Sequence, residues 1–488
     1  MCIRDRKKAI SCALVAAMSV GLAACGTTSY DFKVSYDGIK TGDVSSKVSV
    51  HDPSILKADG EYYIFGSHMS AAKSSDLLNW EKVADGYSKK NPVYGQIYDV
   101  ADEAFAYSGS KNSLIKTDDK QVHVWAPDVI YNETTGLYYM YYCTTSTWNA
   151  SNLCYGTSTT PEGPYEWQGA LIYSGFNRKT ISGTDVLDYV DEDYAYKNYI
   201  KGAQYNYEDY PNAIDPTVFY DADGRMWMVY GSWSGGIFLL EIDKTTGLVI
   251  HPEADKANNV DPYYGKRLLG GGHISIEGPY IMYDETSGYY YLFVSYGALT
   301  SNGGYQVRVF RSKTVDGEYV DMNGKYPEKS AQHQNFGLKL TGNYKLPSLE
   351  KAYMATGHNS AFVDDDGRMY LVYHTRFNDN GEGHSPRVHQ MLVNEDGWPC
   401  ELPYQTQGET VNKDGYDTDD IIGRYYVINQ GTAIDSKIAN PVILYLEKNG
   451  KVKGEKSEGT WECKDGSYYM NTVSYTHLRA HETELHLV

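Results

Sequence analysis

The chain has few basic residues, no apolar run long enough to cross a membrane, and few cysteines outside its first 25 residues. Its 488 residues include 44 Lys and Arg against 63 Asp and Glu, a formal net charge of -19. That charge repels nucleic-acid phosphates, so we exclude a nucleic-acid partner and expect a neutral substrate. The apolar run over residues 9–20 is too short to span a bilayer, which takes about 20 residues.

The cysteines exclude two further classes of protein. Outside residues 1–25 they are Cys143, Cys154, Cys400 and Cys463. Their spacing matches neither a zinc motif nor a disulfide-rich scaffold. Cys143 and Cys154 flank a predicted hairpin, where they could pair or remain free buried thiols.

Two other motifs are incomplete. The glycines at residues 270–272 lack the following Lys and Ser or Thr of a phosphate-binding loop. His384 and His389 lack zinc-ligand spacing on a helix, so we interpret both as loop residues.

The N-terminus has the pattern of an export signal. Basic residues precede the apolar run, and Leu-Ala-Ala-Cys at residues 22–25 resembles the bacterial lipoprotein cleavage box. We therefore predict a leader over residues 1–25 with Cys25 as the lipidated residue; a plain secretory peptide is the alternative. Residues 1–6 and 473–488 resemble sequencing-adapter read-through, so we predict that residues 473–488 are a non-native tail.

A unit of polar head, apolar strand, turn and second strand occurs five times. The copies begin at His51, Trp125, Pro211, Ile276 and His358. Turns such as Asp-Gly separate strands rich in Tyr, Val and Leu, and the 48 tyrosines suit half-buried strands. The copies lie about 60 to 90 residues apart, enough for a four-stranded sheet, so we predict an all-β five-bladed β-propeller over residues 35–405. Two sandwich domains are the alternative.

The remaining segments are predicted from their composition. Alternating residues and turns after residue 405 predict a small C-terminal β-barrel-like accessory domain over residues 415–472. Residues 173–210 and 316–351 are long insertions, which either border a binding face or lack order.

The heads of the five copies carry the candidate chemistry. Aligning them places one residue of each copy in a ring at the mouth of the central channel: Asp52, Ala126, Asp215, Glu277 and His358. Three carboxylates and an imidazole are costly to bury together, and function is the usual reason for such a group. Two carboxyl groups across a sugar are the minimum for glycoside hydrolysis, and a third can keep the acid protonated.

These heads resemble the blade motifs of glycoside hydrolase family 43. They read His-Asp-Pro-Ser from His51, Trp-Ala-Pro-Asp from Trp125, Asn-Ala-Ile-Asp-Pro from Asn212 and Ile-Glu-Gly-Pro from Ile276. The resemblance covers residues 48–404 and, more loosely, 421–472. Within the family the chain is most similar to enzymes that cleave internal α-1,5-L-arabinofuranosidic bonds of arabinan, including a larger bacterial type with a C-terminal β domain.

The resemblance implies an inverting five-bladed enzyme with defined roles for three carboxylates. Asp52 would be the general base, Glu277 the general acid, and Asp215 the residue that positions and tunes Glu277. Because inversion needs room for a water molecule, we expect the Asp52 and Glu277 carboxyl groups to lie roughly 6.5 to 9.5 Å apart.

The resemblance also implies a cation and substrate contacts. His358 would lie beside a hydrated ion, commonly calcium, whose shell water would complete; a satisfied core histidine is the alternative. Asn212, Ser232 and Trp233 match positions near the cleaved bond, and Trp125 could stack on a furanose ring.

Two other functions remain open at this stage. An exo-acting α-L-arabinofuranosidase or β-xylosidase of the same family would keep the same carboxylates, whereas a non-catalytic sugar-binding propeller would not need all three. The expected partner is arabinan or a related plant cell-wall polysaccharide, and the membrane is contacted only through a lipid anchor.

Overall fold

The structure is a computed structural model that describes residues 2–4, 29–38, 46–117, 122–327, 333–463, 468–476 and 483–487. The predicted lipidation site Cys25 and the rest of the leader after residue 4 lie outside the described residues. Strands dominate the described chain, which confirms the all-β prediction. Among the described residues, no helix is both long and apolar enough to cross a membrane.

The first strand, β1 (Cys2–Arg4), belongs to a C-terminal sheet, and the next strands build two antiparallel sheets. Each of these two sheets takes four consecutive strands: β2 (Ser54–Ala58), β3 (Glu61–Gly66), β4 (Ser70–Ser74) and β5 (Glu81–Ala84), then β6 (Val124–Asn132), β7 (Leu137–Thr145), β8 (Ser151–Ser158) and β9 (Glu166–Tyr173).

Three more antiparallel sheets follow a two-stranded ribbon of β10 (Ile200–Lys201) and β11 (Gln204–Tyr205). The third sheet contains β12 (Thr217–Tyr220), β13 (Met226–Tyr230), β14 (Ile237–Ile242), β15 (Val249–Ile250), β16 (Val260–Asp261) and β17 (Gly265–Leu269). The fourth and fifth contain β18 (Ile276–Asp284), β19 (Tyr289–Tyr296), β20 (Gln306–Ser312) and β21 (Leu338–Thr341), then β22 (Tyr353–Val363), β23 (Met369–Phe377), β24 (Ser385–Val393) and β25 (Pro399–Glu401).

The C-terminal sheet has the order β1, β26 (Gly423–Val427), β27 (Val442–Leu446), β28 (Lys451–Gly454), β29 (Ser457–Cys463), β30 (Met470–Thr476) and β31 (Thr483–Leu487). Within the described residues β1 and β31 are its edges and do not pair, so this is an open sheet and not the predicted barrel. The short α-helices are α1 (Gly95–Asp99), α2 (Ala101–Ala104), α3 (Val186–Tyr189), α4 (Glu192–Asn198) and α5 (Thr418–Ile421).

Both faces of the second strands are buried, which explains their continuous apolar sequences. In β19, Leu292 packs in a cluster with the third sheet, whereas Phe293 packs in a cluster with the fifth. In β23, Leu371 faces the fourth sheet and Val372 faces the first. Since successive side chains point to opposite faces, each such strand contributes to two cores. The prediction of half-buried strands was therefore wrong for these central strands.

The five sheets are arranged so that each contacts two others. The first strand of each sheet contacts the first strand of the next, and β22 of the fifth sheet contacts β2 of the first. The apolar cluster that contains Ile64 of β3 and Val388 of β24 fills this closing interface. The contacts between the first strands therefore form a closed series.

Asp128 joins three of these sheets. Its carboxylate accepts hydrogen bonds from the hydroxyl of Ser54 in the first sheet and from the backbone N–H of Val218 in the third, the latter at 2.6 Å. Burial raises the pKa of Asp128 to about 7, although Ser54 and Val218 oppose the shift. Asp128 is thus a buried carboxylate whose contacts are all structural.

The first long insertion is ordered. Phe176, Ile181 and Tyr199 from residues 173–210 pack into the core that the second and third sheets share. The insertion also brings the ring of Tyr207 to 4.8 Å from that of Trp148, which borders the site described below. Of the two expectations for this segment, the structure supports the ordered one.

Candidate active site

A residue in the left-handed region of backbone conformation marks the head of every copy. The φ values are 56° for Asp52, 42° for Ala126, 54° for Asp215, 57° for Gly278 and 46° for His358. Such conformations cost of order 1–3 kcal/mol for non-glycine residues and cluster at functional sites. The shared left-handed conformation indicates that these five positions are equivalent in the backbone.

The same marker corrects the alignment of the fourth head. Its left-handed residue is Gly278, so Glu277 stands one position earlier than predicted. A β-carbon at Gly278 would meet the His358 ring at 3.0 Å, so the close approach of that ring as well as the positive φ requires glycine. The β18–β19 register shifts between Glu277 and Tyr280, and such bulges re-aim side chains next to active sites.

Asp52 lies among imidazoles. Its Oδ1 is 3.0 Å from His358 Nδ1 and 3.1 Å from His51 Nε2, and its Oδ2 accepts a hydrogen bond from the Ser67 hydroxyl. Burial alone would raise the pKa of Asp52, but His358, His51, His374 and Ser67 together hold it well below its usual value. Asp52 is therefore ionised over the whole neutral and mildly acidic range.

His358 differs from the other imidazoles beside Asp52. Burial would lower the pKa of His358, but Asp52, Asp215 and Glu277 outweigh burial and raise it. By contrast, burial lowers the pKa of His51 to about 4 and that of His374 well below its usual value. The site thus favours the protonated form of His358 and the neutral forms of His51 and His374.

Glu277 has different partners. Its carboxyl accepts hydrogen bonds from the Tyr305 hydroxyl at 2.7 Å, the Trp233 indole N–H at 2.6 Å and the Ser232 hydroxyl at 3.2 Å. Burial raises the pKa of Glu277, and the charge of Asp52 adds to the increase, against the lowering effect of Tyr305, His358 and Trp233. Glu277 therefore holds a proton to higher pH than an ordinary glutamate.

Asp215 connects the two groups. Its Oδ2 accepts the backbone N–H of Gly278 at 3.1 Å, which fixes the strand next to Glu277. Burial raises the pKa of Asp215 to about 7, and Glu277 and Asp52 reinforce this against the charge of His358. The three carboxylates predicted from the heads thus surround one centre and act on one another and on His358.

The four predicted substrate contacts differ in position. Ser232 and Trp233 bond to Glu277. Asn212 is buried and donates to the carbonyl oxygen of Trp148 at 2.9 Å. Trp125 is half-buried, and its ring centroid lies 6.4 Å from that of His68. Contact with substrate stays a prediction for all four residues.

Sequence reasoning missed several residues of the site. Tyr305 sits just before β20, outside every head, and no pattern marked it. His51 adjoins Asp52 and could have been noticed in the first head. His374 lies within 3.8 Å of Asp52 Oδ1, and the ring of His384 lies 3.8 Å from that of His51.

Two interpretations of single residues need correction. His389 is not a loop residue: it lies in β24, is buried, and its Nδ1 is 3.0 Å from Glu401 Oε1. His384 is in a loop as expected, but the loop belongs to the site. Cys143 and Cys154 are free buried thiols, which decides that open alternative.

Comparisons with known proteins agree with this geometry. The profile of "Glycosyl hydrolases family 43" matches residues 44–209 and 191–399, and that of a "C-terminal lipocalin-like domain" matches residues 403–484. An extracellular endo-α-(1→5)-L-arabinanase of Thermotoga petrophila is 39% identical over 429 residues, which cover 85% of this chain and 83% of the relative. Extracellular endo-α-(1→5)-L-arabinanase 2 of Bacillus subtilis is 37% identical over 444 residues, 86% of this chain and 83% of the relative.

A solved structure extends the similarity to three dimensions. The crystal structure of the endo-1,5-α-L-arabinanase from Thermotoga petrophila superposes with a TM-score of 0.74 at 37% identity and covers 90% of this chain and 91% of that one. The family profile, the relatives and the buried carboxylates agree, and the chain belongs to glycosyl hydrolase family 43.

Proposed function

We propose that the protein is an inverting hydrolase that cleaves internal α-1,5-L-arabinofuranosidic bonds of arabinan. The observation that carries this proposal is the pair of carboxyl groups at one centre, where the surroundings lower the pKa of Asp52 and raise that of Glu277. Relatives with 37–39% identity over most of the chain are named endo-arabinanases, which supports arabinan as the substrate.

We also propose that the five sheets are the blades of a β-propeller. The closed sequence of first-strand contacts and the left-handed residue in each head support this architecture. In a propeller the first strands line the axis, and their heads meet at one mouth. The reacting sugar would therefore lie across that mouth, above Asp52, Asp215 and Glu277.

The proposed mechanism assigns one proton transfer to each side of the sugar. Glu277 donates its proton to the oxygen of the departing arabinose unit, while Asp52 accepts a proton from a water molecule that attacks the anomeric carbon from the opposite side. Asp215 orients the strand that carries Glu277 and, as a neighbouring carboxyl, helps to keep the acid protonated. Ser232, Trp233 and Tyr305 fix the orientation of the Glu277 carboxyl group.

Product profiles on linear, debranched arabinan test the proposal. We expect a ladder of arabinooligosaccharides from the earliest times, and no ladder from the Asp52→Asn variant. Release of arabinose alone would favour the exo-acting arabinofuranosidase. Hydrolysis of aryl β-xyloside in preference to arabinan would favour the xylosidase, and sugar binding without hydrolysis would favour a non-catalytic role.

We further propose that His358 holds a hydrated calcium ion. The site fits a cation because the three carboxylates Asp52, Asp215 and Glu277 surround one imidazole, His358, and raise its pKa. Calcium prefers oxygen ligands, so water would complete its shell, and the ion would replace the proton of His358 as the positive charge near Asp52. Added Ca²⁺ should raise the melting temperature of the chelator-treated wild type and leave that of chelator-treated His358→Gln unchanged; equal effects on both proteins would reject this site.

Export and lipid anchoring are proposals from the leader. The relatives are named extracellular, which supports export. A lipid on Cys25 would keep the enzyme at the cell envelope. In a bacterial host that processes lipoproteins, the wild type should incorporate labelled fatty acid and Cys25→Ala should not; label in neither protein would leave a plain secretory leader.

A further inference from the structure

Three histidine side chains form a cluster on the Asp52 side of the centre. His51 comes from the head of the first sheet, His374 from β23 and His384 from the loop before β24. One ring nitrogen from each lies within 4.8 Å of the other two. The ring centroids of His51 and His384 are 3.8 Å apart, and that of His374 is 4.9 and 5.0 Å from them.

Two nitrogens of this cluster, His51 Nδ1 and His374 Nε2, are buried and have no hydrogen-bond partner among the described residues. His51 Nε2 lies 3.1 Å from Asp52 Oδ1, so the ring proton belongs on Nε2 and Nδ1 presents a lone pair. His374 Nδ1 accepts a hydrogen bond from the backbone N–H of Asp52 at 3.3 Å and lies 3.8 Å from Asp52 Oδ1, so the ring proton of His374 lies on Nε2. Metal binding at His374 Nε2 would require this proton to move to Nδ1, which faces the Asp52 carboxylate.

This arrangement is typical of metal-binding histidines. A histidine that ligates a metal usually donates its other N–H to a carboxylate, which fixes the tautomer and strengthens the ligand. Asp52 accepts the N–H of His51 in this way, and it would face the N–H of His374 once the ring proton moved to Nδ1. A buried imidazole nitrogen with no partner is costly, and a bound metal would supply that partner.

The charged group beside the cluster is compatible with a cation. Arg376 Nη2 lies 2.9 Å from His384 Nε2, and a metal on that nitrogen would displace this contact. Arg376 would remain bonded to the carbonyl oxygen of Leu299 at 2.7 Å and to the Glu382 carboxylate at 2.7 Å, which balances its charge.

An ion has a route to the cluster. A cavity of about 340 Å³ is lined by His51 and His384 together with Ser67, His68 and other residues. Lys82 on its wall is paired with Asp85 at 3.5 Å. The cavity therefore offers a polar entrance from the surface to the two outer histidines.

We propose that His51, His374 and His384 bind a divalent transition metal such as Zn²⁺, with Asp52 as the hydrogen-bonded support of the ligands. Imidazole nitrogens select zinc, copper or nickel, whereas calcium prefers oxygen, so this site is separate in chemistry from the one proposed at His358. A metal on His51 makes its N–H a stronger donor to Asp52 and so makes Asp52 a weaker base. Zinc should therefore inhibit hydrolysis, a consequence that rests on the proposed function, whereas binding itself does not.

Calorimetric titration of the full, chelator-treated chain with Zn²⁺ tests the site. The variant is His384→Ala, because His384 is half-buried in a loop and lies outside the strands, and the control is His273→Ala, an exposed histidine next to Trp233. We expect zinc affinity to fall by about 10-fold or more in His384→Ala and to stay at the wild-type value in His273→Ala. An excess of Ca²⁺ should not displace the zinc.

Two results would overturn the proposal: equal zinc affinity in the wild type and His384→Ala, or no zinc binding by the wild type. Circular dichroism checks that His384→Ala is folded, and His384→Gln provides a second variant that keeps a polar side chain. Zinc binding without inhibition would retain the site and reject only its effect on Asp52.

Discussion

The Asp52 half and the Glu277 half of the centre contain the same kind of acid in opposite surroundings. Asp52 contacts imidazoles, among them His358, whose pKa is raised, and the pKa of Asp52 is lowered. Within the described part of the chain, the hydrogen-bond donors to the Glu277 carboxyl group are the uncharged side chains of Ser232, Trp233 and Tyr305, and the pKa of Glu277 is raised. Desolvation raises the pKa of both carboxyl groups, so desolvation does not separate them; the nearest charge does.

Under the proposed mechanism, this difference explains how one fold obtains a base and an acid from two carboxyl groups. Pairs of titratable groups whose environments push their pKa values apart identify the acid and the base. Here His358 makes the distinction, because it lies 3.0 Å from Asp52 Oδ1 and the other two carboxylates also raise its pKa. Substitutions in the Asp52 half and in the Glu277 half should therefore change the pH dependence of the rate differently, even where they lower the rate by the same factor.

The largest loss of kcat should follow from replacing either Asp52 or Glu277 by its amide. We expect Asp52→Asn and Glu277→Gln each to lower kcat on arabinan by about 10² to 10⁴-fold, since each removes one proton transfer. The control is Asp128→Asn, a buried carboxylate in β6 outside the centre, which should keep kcat within a few-fold of the wild type. Comparable losses in all three variants would mean that the effect is structural.

Asp128→Ala should reduce stability and not catalysis. It leaves the Ser54 hydroxyl and the Val218 N–H buried without an acceptor, so we expect the free energy of unfolding to fall by about 2–5 kcal/mol, measured by denaturant titration. The pKa of Asp128 is raised to about 7 in the fold, so its charged form opposes folding as the pH rises from about 4 through 7. Asp128→Asn should therefore lose less stability between pH 5 and about 8 than the wild type does; identical slopes would contradict this.

Asp215→Asn should move one limb of the pH profile. Rate requires Glu277 in its protonated form, so kcat/KM falls as rising pH removes that proton. The substituted amide keeps an acceptor for the Gly278 N–H but removes a charge that repels ionised Glu277. We expect the alkaline limb to shift to lower pH by on the order of one unit. The acid limb is set by Asp52 and should lie below the pH range of an ordinary aspartate in both proteins. An alkaline limb at the wild-type pH would contradict the interaction between Asp215 and Glu277.

Tyr305→Phe should give the smallest and opposite change. The Tyr305 hydroxyl stabilises ionised Glu277, so its removal should raise the pKa of Glu277 and extend the alkaline limb of kcat/KM to higher pH. A few-fold loss of kcat should accompany the looser carboxyl group. Tyr296→Phe is the matched control, because the Tyr296 hydroxyl is buried and has no hydrogen-bond partner; a shift there too would exclude a specific effect of Tyr305.

The repeat could be predicted from the sequence because it is local. Each head, strand and turn lies within about 20 residues, so the polar head, the apolar strands and the turn are visible in a single copy. Asp52, Asp215 and Glu277 followed from comparing the copies. The one-residue error at Glu277 arose because the alignment matched acidic residues. In the backbone, the left-handed residue Gly278 is the one equivalent to Asp52, Ala126, Asp215 and His358.

The surroundings of the carboxylates could not be predicted in the same way. Tyr305, His374 and His384 reach the centre from strand ends and a loop distant in sequence from the groups that they contact. Their contacts depend on how neighbouring sheets pack together, and no local sequence pattern predicts that packing. The open C-terminal sheet also escaped prediction, since its edge strands come from opposite ends of the chain.

The most direct test of the separate roles of Asp52 and Glu277 compares the activities of two variants on two substrates. Protonation of the departing oxygen matters for arabinan but hardly for an aryl arabinooligosaccharide, whose phenolate leaves unaided. We predict that Glu277→Gln loses far less activity on the aryl substrate than on arabinan, whereas Asp52→Asn loses equally on both. Equal losses for Glu277→Gln on the two substrates would contradict its role as the acid and, with it, the distinction between the two halves.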